Sequence, residues 1–109
     1  MSSPLGEFEQ VVLLAALRVK GEVYGVPIVE EIERRTGRSV SPAAVYVTLR
    51  RLEEKGLVTS WLSEPVAERG GKPRRCVEVT PEGVQLLRES RRMIESLWSG
   101  LEALLGESR

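Results

Sequence analysis

Three residue types are missing from this 109-residue chain: histidine, aspartate and asparagine. Without histidine no Ser-His or Cys-His nucleophile and no His-ligated metal site can be assembled. The single cysteine, Cys76, excludes an intrachain disulfide framework and a four-thiolate zinc site, and suits a reducing compartment. In a strand context it reads as a small apolar residue more readily than as a thiol sensor. Every acidic residue is a glutamate, and the adjacent pairs Glu30/Glu31 and Glu53/Glu54 fall on helical segments, where neighbours point apart. These absences argue against an enzyme, and no cofactor is expected. Long apolar runs are lacking too. The longest, Val11 to Leu17, is too short to span a bilayer. Glu7 and Glu9 precede it where a signal peptide would be basic, and no small-residue cleavage site follows. The expectation is a cytoplasmic protein with no membrane partner.

The formal charge is zero, so any attraction to a polyanion must come from uneven distribution. Residues 40–80 carry seven basic against five acidic side chains, whereas the segments before and after are slightly acidic. The excess gathers in the run Glu68 to Arg75, which ends in Lys72, Arg74 and Arg75. The GGK within it is not a phosphate-binding loop, because position 66 is not glycine and Pro73 occupies the Ser/Thr place. A chain this short leaves much of its surface unburied, so self-association is a reasonable expectation.

Proline and glycine divide the chain. Pro27, Pro42 and Pro81 each open a helical stretch, with Ser41 and Thr80 as N-caps for two of them, and Gly21, Gly37 and Gly56 follow helical runs. A first helix is predicted from about Glu7 to Val19. Phe8, Val11, Val12, Leu14 and Ala15 form its inner stripe, widened by Leu13 and Leu17. A second is predicted from about Pro27 to Thr36, with Ile28, Val29 and Ile32 inward and Glu30, Glu31, Glu33 and Arg34 outward. A third runs from Ser41-Pro42 to Gly56 on an inner stripe of Val45, Leu49 and Leu52. After Gly56 the period changes to alternation: Leu57 to Ser63 and Cys76 to Val79 form a β-hairpin around a long basic tip. The last and longest helix is predicted from Thr80-Pro81 to about Leu105.

The predicted fold is α+β and mostly helical: a winged helix-turn-helix of three helices and a hairpin wing over residues 1–80. A long C-terminal dimerisation helix over 81–109 completes one compact unit. In that layout the third helix enters the major groove and the wing touches an adjacent groove or phosphates. The third helix offers small residues at its start, Ala43 and Ala44, so that backbone can approach DNA closely. Tyr46, Val47 and Arg50 lie on its outer face, with Arg51 and Lys55 nearer the end.

The segments SPAAVYVTLRRLEEKGLVTSW and GGKPRRCVEVTPEGVQLL together resemble the PadR-type transcriptional regulators. The matching residues are Tyr46, Leu49, Leu52, Glu53, Gly56 and Leu57, then Gly71, Pro73, Arg74, Thr80 and Gly83, with Tyr24-Gly25 similar to the family's opening of the second helix. Cys76-Val77 stands where many relatives carry aromatic residues. The resemblance implies dimers built by the C-terminal helix and belongs to the branch with one such helix. It also implies that a planar apolar or aromatic effector can bind between subunits, for which Trp98 is the candidate contact.

The last helix supports pairing independently. Val84, Leu87, Ile94, Trp98, Leu101 and Leu105 follow three- and four-residue steps with Arg91 the one polar interruption, and Leu86, Met93, Leu97 and Leu104 form a second stripe beside them. Two stripes need two partners, and a second copy is the simplest second partner. The expected dimer contacts are Leu87, Ile94, Leu97, Trp98, Leu101 and Leu105. The resulting expectation is a homodimeric repressor on a palindromic double-stranded operator. Tyr24, Ser41, Lys72, Arg74 and Arg75 hold phosphates, while Ala43, Tyr46, Val47, Arg50 and Arg51 face the groove. Two alternatives stay open: a winged-helix module for protein partners without DNA binding, and an enzyme or carrier at the dimer cavity. Salt separates the first from a DNA-binder, whose affinity must fall steeply with ionic strength.

Overall fold

In the computed structural model, residues 5–65, 67 and 70–106 are described. The elements run α1 (Glu7–Arg18), α2 (Gly25–Thr36), α3 (Pro42–Glu54), β1 (Val58–Leu62), β2 (Arg75–Val79) and α4 (Pro81–Trp98). This is the expected winged helix-turn-helix with one further helix. β1 and β2 pair antiparallel with Val58 opposite Val79 and Leu62 opposite Arg75. The core gathers Val12 and Leu13 of α1, Ile28 and Ile32 of α2, Val45 and Leu52 of α3, and Val58 and Val77 of the hairpin.

Caps read from the sequence occur as local chemistry requires. Ser41 Oγ accepts from the Ala44 N–H at 3.3 Å, and Thr80 Oγ1 accepts from the Gly83 N–H at 3.1 Å. Each is followed by proline at the first helical position, where a missing donor costs no hydrogen bond. Thr80 also ties α4 to the end of α3, its hydroxyl donating to the Gly56 carbonyl at 2.8 Å. Gly83 lies against the Leu57 carbonyl, which a Cβ there would approach to 2.6 Å. The start of α4 is therefore fixed to the junction of α3 and β1.

The structure differs from five of these expectations. In α1 the buried residues are Val12, Leu13, Ala15 and Ala16, while Leu14 and Leu17 are about half exposed. The helix is apolar on almost every side, so its periodicity does not select an inner face. α2 begins at Gly25, two residues before Pro27, and Glu31 is buried on it rather than outward. Glu31 shares the face of Ile28 and Ile32, and ion pairs with Arg34 and, at 3.5 Å, Arg35 satisfy its carboxylate. α4 ends at Trp98, not near Leu105: Ser99 leaves the helix with extended backbone and Gly100 takes φ +87°. Leu101 and Leu105 thus lie in the turns beyond the helix. Leu87, expected at a dimer seam, belongs to the subunit's own core at 8% exposure.

Two long-range ion pairs brace the bundle. Arg38 pairs with Glu7 at 2.9 Å and lies over the Phe8 ring. Lys55, just past α3, pairs with Glu9 of α1 at 2.7 Å. Burial opposes ionisation of Glu9. Hydrogen bonds from Lys55 and the Gly6 N–H, with the charges of Lys55 and Arg51, outweigh it and hold the carboxyl below its usual range.

Candidate nucleic-acid interface

α3 divides into two faces. Val45, Thr48, Leu49 and Leu52 are buried against α1, α2 and the hairpin. Ala43, Ala44, Tyr46, Val47, Arg50 and Arg51 are exposed, so the residues expected to face a groove do lie on the side turned away from the core. The Tyr46 ring folds back over the start of α2. A Cβ at Gly25 would sit 2.5 Å from its Cε1 and Cζ atoms, so glycine there leaves room for the ring to lie over the start of α2. Arg51 departs from its neighbours, since its charge acts on Glu9 together with Lys55, on the α1 side of the helix. Arg50 is the cation at the centre of the outward face.

The wing stands beside that face. A groove of roughly 380 Å³ separates α3 from the hairpin and is lined by Tyr46, Arg50 and Glu53 on one wall and Ser60 and Arg75 on the other. Glu53 accepts from the Ser60 hydroxyl at 2.8 Å, and Arg75 Nη1 approaches Ser60 Oγ at 3.5 Å. Lys72, at the exposed tip, and exposed Arg75 continue the basic edge. Arg74 lies differently, stacked 4.3 Å from the Tyr24 ring centroid and paired with Glu22 at 3.0 Å. Of the basic run, Arg69 lies outside the described residues. Among the described residues no cluster of His, Cys, Asp or Glu could hold a metal ion, and no helix is long and apolar enough to cross a membrane.

The profile of the transcriptional regulator PadR-like family matches residues 13–89, which take in the second half of α1, α2, α3, the wing and half of α4. The chain belongs to the PadR-like family. It is similar to a transcriptional regulator of Mycobacterium tuberculosis, Rv3488, at 40% identity over 87 residues, covering 80% of this chain and 75% of that protein. Among solved structures it is similar to a PadR family transcriptional regulator from Eggerthella lenta, at 28% identity and TM-score 0.68, covering 94% of this chain and 88% of that one. It shares the fold of a PadR family transcription regulator from Clostridium difficile, at 22% identity and TM-score 0.70, covering 91% and 99%. The protein is a transcriptional regulator rather than an enzyme, and its family implies regulation through DNA.

In this PadR-like regulator α4 and α1 form a second surface. Along the second half of α4, Met93, Ile94, Leu97 and Trp98 are exposed, Leu97 to 69% and Trp98 to 41%. With Leu14 and Leu17 of α1, Ile94 and Trp98 line an apolar groove of roughly 490 Å³. Leu101 and Leu105 extend the apolar surface past the helix end. Sequence reasoning overlooked Leu14 and Leu17 here because it assigned both to the core stripe. It also overlooked the meeting of Tyr24, Arg74 and Glu22. The available signal was that Tyr24 and Arg74 both belong to motif segments of the family resemblance.

Proposed function

We propose that this PadR-like regulator binds a palindromic double-stranded operator in the cytoplasm as a homodimer and represses transcription. In this reading α3 enters the major groove with Ala43, Tyr46, Val47 and Arg50 toward base edges. Ser41 and the N-terminus of α3 approach one phosphate strand, and Lys72 and Arg75 of the wing approach phosphates. The observation that carries the reading is the shared orientation of an outward-facing α3 and a basic wing edge on either side of one groove. A phosphate strand running between a major-groove helix and a wing meets that arrangement of cations.

Dimerisation uses the exposed apolar half of α4 and the groove it shares with α1, at Ile94, Leu97, Trp98, Leu101 and Leu105. Pairing supplies two recognition helices for two half-sites about 34 Å apart. A small apolar or aromatic effector that enters the groove at Trp98 changes how the copies sit and releases the operator. Phosphate contacts set affinity and register, while the short side chains Ala43 and Val47 set sequence preference.

The salt dependence of binding tests the reading. With Lys72 and Arg75 on phosphates, the dimer makes about four ionic contacts, and log affinity falls against log salt with a slope near −4. Arg75→Ala removes about two units from that slope in the dimer. A slope near zero, or an Arg75→Ala slope equal to wild type, refutes the assignment.

A further inference from the structure

Two adjacent arginines stand where the returning strand of the wing starts, Arg75 as its first residue and Arg74 just before it, and they go to opposite sides. Successive residues of a strand point to opposite faces. Arg75 faces the groove with Ser60 and α3. Arg74 turns to the loop before α2, where its guanidinium lies 4.3 Å from the Tyr24 ring centroid and its Nη1 donates to Glu22 Oε1 at 3.0 Å. Its side chain is 33% exposed. Its backbone is held as well, the Arg74 N–H donating to Ser63 Oγ at 2.8 Å and its carbonyl accepting the Ser63 N–H at 2.7 Å.

This site suits a guanidinium for a physical reason. A flat delocalised cation can lie on a ring and donate from its edge to a carboxylate at the same time, whereas a lysine ammonium is a point charge with no plane to stack. A little further along β2, the Val77 N–H donates to the Val23 carbonyl at 2.9 Å. Residues 22–24 are therefore joined to the base of the wing twice, once by backbone and once by the stacked ion pair. The same short segment reaches α3, because Tyr24 is the N-cap of α2 and the next residue, Gly25, seats the Tyr46 ring. One chain of contacts thus runs from wing to α2 to the recognition helix.

We propose that Arg74 is a positioning residue. With Tyr24 and Glu22 it forms a latch that fixes the wing relative to α3, and it is not one of the phosphate contacts. This inference rests on the DNA-binding reading above and narrows it, placing Tyr24 and Arg74, expected at phosphates from the sequence, in the frame that aims Arg75, Lys72 and α3. A phosphate that claimed Arg74 would have to replace Glu22 and lift the guanidinium from the ring.

The test compares Arg74→Lys with Arg75→Lys and Arg75→Ala, using an operator that the wild type selects from a random duplex pool. A phosphate contact accepts lysine in place of arginine, because both carry the charge. The latch does not. Arg74→Lys therefore weakens operator binding by about three- to tenfold with the wild-type salt slope, while Arg75→Lys stays within about twofold and Arg75→Ala loses slope. Adding Tyr24→Leu to Arg74→Lys lowers affinity no further, since one interaction is removed twice. A readout without DNA accompanies this: amide exchange of Val77 and Ser63 quickens in Arg74→Lys and keeps its wild-type rate in Arg75→Ala. The proposal is overturned by wild-type affinity in Arg74→Lys together with a reduced slope in Arg74→Ala, or by unchanged exchange in Arg74→Lys. Should the wild type retain no DNA from the pool, the DNA-binding reading fails, and the exchange rates alone decide the latch.

Discussion

The two halves of α4 carry the same apolar rhythm and meet different fates. In the first half, Gly83, Leu87 and Ser90 are buried and Val84 and Leu86 are half-buried, covering the hairpin and the core. In the second half every residue from Arg91 to Trp98 is exposed, although Met93, Ile94, Leu97 and Trp98 continue the pattern. The first half is fastened by Thr80 and Gly83 to the α3–β1 junction. The second half runs past the last element able to cover it, which is consistent with a molecule 55 Å long but only 21 Å deep. Amphipathic periodicity shows that a face will be covered without showing by what. On one helix here, the same signal belongs first to intramolecular packing and then to a surface left for another molecule.

That contrast can be broken most sharply in the second half. Changing Ile94 and Leu97 together to Glu sets four carboxylates into the seam of the proposed dimer, an arrangement costly unless they are paired or protonated. The folded subunit should survive, since neither side chain enters its core. The variant should sediment as a monomer, lose the concentration dependence of its melting temperature, and bind operator at least about a hundredfold more weakly. An intact dimer in the ultracentrifuge, with wild-type operator affinity, removes α4 from the interface. In the first half, Leu87→Ala should have the opposite signature: a loss of about 2–3 kcal/mol in stability at any protein concentration, read from urea midpoints. If dilution enlarges that loss, Leu87 belongs to the seam after all.

The smallest effect lies away from α4 and serves as its control. Glu9→Gln should cost about 1 kcal/mol at neutral pH, discounted because Lys55 is partly solvated. The folded carboxyl titrates below its unfolded range, so its contribution is present above that range and is lost as pH falls through the folded value. Wild type and variant should therefore converge in acid, and a gap that persists there assigns the effect to packing instead of charge.

Much of this architecture is legible from local chemistry. Ser41-Pro42 and Thr80-Pro81 mark two helix starts to the residue, because cap and proline act within one turn. The change of period after Gly56 marks the hairpin. The exposed face of α3 follows from Val45, Leu49 and Leu52 lying inward. What was hidden depends on packing between distant segments. Leu13 and Leu14 are equally apolar, and only the positions of α2, α3 and β2 decide that the first is buried and the second is not. Glu31 looks like a solvent residue until Arg34 and Arg35 are seen to satisfy it. The end of α4 could have been read from Gly100, but Leu101 and Leu105 carry the stripe past it and conceal the stop. Arg74 and Arg75 are indistinguishable as letters, and the backbone entering β2 sends one to Tyr24 and the other to the groove.

Cys76 stands between Arg75 and Val77 and is 2% exposed. The only thiol of the chain is thus enclosed at the root of the wing, where a reagent in solution reaches it when that root parts from the helices. Its rate of chemical modification is then a clock for local opening. The protein carries its own reporter of how often the wing lets go.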